Sequence, residues 1–130
     1  MKFHELVKEN RLLGKALSTP EYKISVVSNV MVNPLKDLFE HSLRSRGINA
    51  SVQIGNYDNI VQDTVSCSEY STVLVIWELG NVTNGFGFLA ESMTEEQRSS
   101  FIESMKSQID LCLLNLKNVS SVFVTEFSSA

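Results

Sequence analysis

The sequence predicts an α/β fold: an open, mainly parallel sheet held between helices in three layers. Three observations carry that expectation. Short runs of β-branched and aromatic residues alternate with longer stretches of helical periodicity, the pattern of a doubly wound sheet. The runs at residues 22–28 and 72–77 are continuously apolar at their centres, as strands covered on both faces are. With 130 residues, 43% of them hydrophobic, the chain is sized for one core, so residues 1–130 are expected to form a single domain.

Each element has its own local reason. Phe3, Leu6, Val7, Leu13 and Leu17 fall at helical spacing over residues 2–17. Gly14 weakens the last turn, and Pro20 forbids continuation. Tyr22, Ile24, Val26 and Val27 make a first strand. Asn33 before Pro34 reads as a capped helix start, with Leu35, Leu38, Phe39 and Leu43 on one face and Gly47 as a left-handed stop. Residues 50–54 alternate weakly, which suggests a second strand near the sheet edge. A turn-rich stretch from Gly55 to Asn59 leads to a short helix at 60–64 and a loop at 66–71. Residues 72–77, the most apolar run, make the central strand, and the glycine-rich residues 80–87 a long loop. Ser92 with Glu95, or Thr94 with Gln97, offers a capping box for a helix at 94–117. Its apolar stripe is Phe101, Ile102, Met105, Ile109, Cys112, Leu113 and Leu116. Residues 119–125 complete the fourth strand.

Right-handed crossovers leave few topologies, and the order 2-1-3-4 is expected. In that order the chain reverses direction between the first and third strands, and ligands bind outside such a switch point. The residues placed there are Ser28 and Asn29 after the first strand, and Glu78, Gly80 and Asn81 after the third. Phe86 or Phe88 would lie at its rim.

Charge and composition narrow the function. A net charge of -4 and a pI near 5.1 disfavour nucleic acid, which needs a basic stripe. No apolar run has membrane-spanning length, and the first residues lack a signal-peptide core, so a cytoplasmic location is expected. Cys67 and Cys112 read as free thiols. No glycine pattern matches a phosphate cradle or dinucleotide fingerprint, and no cofactor or metal is expected.

The stretch at residues 22–39, the segment from Ser42 through Gly47 to Val52, and the turn Gly55, Asn56, Tyr57 together resemble the N-terminal domain of FkbH-like proteins. That domain is SGNH-hydrolase-like, a flavodoxin-like three-layer arrangement. The resemblance implies an N-terminal fragment of a longer protein with a C-terminal phosphatase domain of the haloacid-dehalogenase (HAD) type. It also implies a role in acyl or glyceryl transfer, or hydrolysis, with an acyl carrier protein as partner. Ser28 matches the place of the SGNH nucleophile, Gly55 the glycine of the second block, and Asn81 the asparagine of the third. The chain departs from the pattern elsewhere: Val26, Val27 and Ser28 stand where Gly-Asp-Ser is usual, and the terminal Asp-x-x-His and the phosphatase Asp-x-Asp-x-Thr are missing.

A serine nucleophile needs a base to take its proton. The two histidines are His4, on the opening helix, and His41, two turns into the helix after the first strand. Both read as solvated. Ser28 is the candidate catalytic residue, and Asn29, Gly55, Glu78, Gly80 and Asn81 are the candidate substrate-binding residues; a docking or assembly module without catalysis is the alternative.

Overall fold

The structure, a computed structural model, describes residues 1–78 and 91–125. In chain order its elements are α1 (Phe3–Ala16), β1 (Tyr22–Ser28), α2 (Leu35–Arg44), β2 (Ala50–Ile54), α3 (Ile60–Val65), β3 (Thr72–Ile76), α4 (Glu95–Asn115) and β4 (Ser121–Val124). The sheet has the order β2-β1-β3-β4, and every pairing is parallel. Tyr22 pairs with Ala50, Ile24 with Thr72, and Thr72 with Ser121. The fold class and strand order read from the sequence are those of the molecule.

The two sheet faces bury separate cores, because side chains alternate along a strand. On one face Ile24, Val26, Ala50 and Val52 pack with Phe39 and Leu43 of α2. On the other, Val27, Val73, Val75 and Trp77 pack with Ile60 of α3 and with Met105, Cys112 and Leu116 near α4. α2 lies over β2 and its neighbour β1, which leaves Leu74 and Ile76 only partly covered. The central strand is thus buried fully on the α4 side alone, against the expectation of two covered faces.

Two local expectations need correction. Asn33 does not cap α2: Pro34 occupies the capping position without a side-chain bond, and Val32 C=O takes the Leu35 N–H in a tight turn. In α4, Ile102 and Leu113 are exposed, because the buried stripe narrows to Met105, Cys112 and the Leu116 just beyond. Of the two capping boxes offered, Thr94 with Gln97 is the one that forms: Thr94 Oγ1 accepts from Gln97 N–H at 3.2 Å while Thr94 N–H donates to Gln97 Oε1 at 2.9 Å. Gly47 does terminate α2 with φ of 83°, and Ile48 N–H reaching back to Leu43 C=O makes the closure a Schellman motif.

A polar network joins α1, α2 and the outer edge of β2. Glu40 is 3% exposed and accepts from Val52 N–H and Lys36 Nζ, each at 2.9 Å, and from Asn10 Nδ2 at 3.1 Å. Lys36 Nζ also donates to Val52 C=O, and Arg44 Nε donates to Ala50 C=O. Residues 36, 40 and 44 form one helical stripe, and that stripe occupies main-chain groups an edge strand would otherwise offer to another chain. Arg44 Nη1 continues to Asn10 C=O and Oδ1 at 3.1 and 3.0 Å. Gly14 makes room for it: a Cβ there would stand 2.7 Å from Arg44 Nη1. Burial pushes the Glu40 carboxyl up, but the hydrogen bonds from Val52, Lys36 and Asn10 outweigh it, and the group titrates below the ordinary carboxylate range.

Candidate functional site at the carboxyl edge of the sheet

β1 and β3 are adjacent, and the segments leaving their carboxyl ends are tied together by one side chain. Asn29, 1% exposed, donates from Nδ2 to Glu78 C=O and accepts Glu78 N–H at Oδ1, both at 2.8 Å. Its own N–H continues the ladder to Ile76 C=O at 3.2 Å. The amide acts as a clamp that extends the sheet by one rung beyond the strands.

Ser28 lies beside it, 4% exposed. Its Oγ accepts from Val30 N–H at 2.9 Å and donates to Val30 C=O at 3.0 Å, so the hydroxyl is spent on shaping the turn after β1. Ser28 C=O accepts from Asp58 N–H at 3.0 Å, which draws the β2–α3 loop over the end of β1. Asp58 adopts a left-handed backbone with φ of 51°, a conformation that aspartate tolerates better than most residues. Such local strain often accompanies functional loops.

Gly55 sits one strand over. Its N–H donates to Val26 C=O at 2.8 Å, and a Cβ would lie 2.5 Å from Asp63 Oδ2. The glycine therefore answers a close approach: Asp63 needs the space to accept from Asn56 N–H and Asn59 Nδ2. Ser28, Asn29 and Glu78 thus converge, with Gly55 on the flank. Gly80, Asn81, Phe86 and Phe88 lie outside the described residues.

Two cavities border α3. The first, about 290 Å³, is lined among the described residues by Asp58, Ile60, Val61, Gln62, Trp77 and Gln108. It opens at the carboxyl edge, where Trp77 N–H is held by Thr125 Oγ1 at 3.0 Å. The second, about 270 Å³, includes Ser25, Gln53, Gly55, Asp63, Cys67 and Tyr70. There Cys67 Sγ donates to Asp63 C=O at 3.2 Å and stands 3.6 Å from Ser25 Oγ. Burial pushes the Cys67 thiol up, which keeps it protonated and weakly nucleophilic.

Neither histidine serves Ser28. His4 is exposed on α1, and His41 Nε2 lies 3.2 Å from Glu9 Oε1 where α1 meets α2. Among the described residues, no group of three or more His, Cys, Asp or Glu side chains is placed to hold a metal ion. No described helix is long and apolar enough to cross a membrane.

Sequence reasoning found the strand ends but not the cavity. Asp58 carried only a turn signal. Trp77 read as the end of a strand, and no motif or spacing marked Gln62 or Gln108.

The fold and edge geometry define an open α/β domain with a switch-point crevice. The crystal structure of the N-terminal part of the protein BF1531 from Bacteroides fragilis, which contains a phosphatase domain complexed with Mg, is similar with a TM-score of 0.70. Identity is 9%, so the likeness is one of fold; it covers 100% of this chain and 34% of that one, and the chain spans about a third of its neighbour's length. No protein-family model matches the sequence, and no curated protein matches it.

Proposed function

We propose that the chain is the N-terminal α/β domain of an FkbH-like protein, and that it serves acyl or glyceryl transfer by binding its partner at the carboxyl edge. The observation that supports this reading is the likeness of fold, over all of this chain and 34% of the other, to the N-terminal part of a phosphatase-domain protein. The partners would be an acyl carrier protein and a C-terminal HAD-type domain. Ser28, Asn29, Gly55, Glu78, Gly80 and Asn81 would form or support the docking surface. Topology favours that end of the sheet, since the segments after β1 and β3 leave a gap between them.

Binding is favoured over hydrolysis by the state of Ser28. A nucleophilic serine needs an accessible hydroxyl and a base, whereas Ser28 Oγ is engaged twice with Val30 and both histidines lie on the α1–α2 layer. The test pairs two measurements on the whole chain. Turnover of an activated ester should be no faster than in a Ser28→Ala variant, and a glyceryl-loaded carrier protein should bind by calorimetry. Ester turnover abolished by Ser28→Ala would overturn the non-catalytic reading. Failure of the carrier to bind would overturn the docking role.

A further inference from the structure

The cavity at the carboxyl edge has polar walls drawn from three elements. Asp58 comes from the β2–α3 loop, Gln62 from α3 and Gln108 from α4, with Ile60, Val61 and Trp77 as the apolar part. Among the described residues, the side chains of Asp58, Gln62 and Gln108 make no hydrogen bond. Asp58 and Gln62 are exposed and Gln108 is half-buried, so these side chains are open to what enters the cavity, whereas Glu40 and Asn29 are buried and paired within the protein. Two glutamine amides facing one space of about 290 Å³ offer donors and acceptors together.

The charge of the walls narrows the occupant. A phosphate or carboxylate needs a cationic side chain or several converging N–H groups. The described lining residues include one acid and no lysine or arginine. The segments outside the described residues supply no cation either: residues 79–90 carry no charged side chain, and residues 126–130 add only Glu126. A cation would use the acceptors alone and leave the amide N–H groups unpaired.

We infer that this cavity binds an uncharged ligand rich in amide or hydroxyl groups, held by Gln62 and Gln108 beside Trp77. The inference rests on reading the carboxyl edge as a binding surface and adds the chemical class of what enters it. It is distinct from the Ser28 turn, whose hydroxyl is already engaged.

Trp77 is the chain's single tryptophan, so its emission reports on the cavity directly. The full chain would be titrated with pantetheine, an uncharged chain bearing amides and hydroxyls, and separately with inorganic phosphate and choline. Pantetheine should change the emission saturably, phosphate and choline should not, and phosphate should not compete. Gln108→Leu and Gln62→Leu should each weaken pantetheine about fivefold to tenfold, while Asp58→Asn should preserve binding. Unchanged midpoints in urea would show that the variants remain folded. Saturable binding of phosphate or choline, or pantetheine binding indifferent to both glutamines, would overturn the inference. An emission unmoved by pantetheine would also overturn it. In that last case, continued binding of the carrier protein would leave the docking role standing, and loss of both would remove the two readings together.

Discussion

The β2 edge and the carboxyl edge use polar side chains in opposite ways. At the β2 edge, Glu40, Lys36, Arg44 and Asn10 are mutually hydrogen-bonded and satisfy the main chain of Ala50 and Val52. At the carboxyl edge, Asn29 is equally saturated, but Asp58, Gln62 and Gln108 border open space with no hydrogen bond from their side chains among the described residues. Buried polar groups with every partner in place hold a fold together, whereas accessible ones bordering a cavity remain free to exchange water for a ligand.

The contrast breaks most visibly at Glu40. Glu40→Ala strands the Val52 N–H and leaves Arg44 beside an empty site, and should cost about 3 to 5 kcal/mol in urea denaturation. Its pH dependence has a definite sign. The folded carboxyl titrates below the unfolded one, so its stabilisation is complete above the ordinary carboxylate range and is lost as pH falls through the lower, folded value. Glu40→Gln should flatten that acid-side loss; an unchanged slope would mean the network contributes nothing through charge.

Core truncations should divide by sheet face. Leu116→Ala, in the fully packed α4 core, should cost about 2 to 5 kcal/mol. Leu74→Ala, on the partly covered α2 face, should cost less than about 2 kcal/mol. Equal losses would mean that the two faces are covered alike.

The clamp comes next. Asn29→Ala leaves Glu78 N–H and C=O without their side-chain partner and should cost about 2 kcal/mol. Smallest of all, Gln62→Leu and Gln108→Leu should shift stability by less than about 0.5 kcal/mol, as changes away from a packed network do. A large loss there would identify them as structural and not ligand-facing.

Much of this architecture was readable because period and turn chemistry report local structure directly. The runs 22–28 and 72–77, the weak alternation of 50–54 and the Gly47 stop became β1, β3, β2 and the end of α2 with little change. What the sequence hid depends on contacts distant along the chain. Asn10 sits in an ordinary amphipathic helix, yet at 1% exposure it is the buried residue of α1, because Asp37, Glu40 and Arg44 surround it. Gly14 read as a weak last turn, whereas its real role is the space it leaves for Arg44. Leu74 looked fully buried because periodicity cannot say which strands a helix will cover. At the site, topology placed Ser28, Asn29 and Glu78 together, but the clamp needed an amide at the right distance from a main chain 49 residues away.

The most direct measurement is amide chemical-shift mapping of the whole chain during titration with a glyceryl-loaded carrier protein. Residues 28–30, Asp58 and residues 77–78 should shift first, with Gln62 and Gln108 following on their side-chain amides. Shifts confined to α1, α2 and the outer edge of β2 would contradict the account, because they would place the partner on the surface whose polar groups are already satisfied.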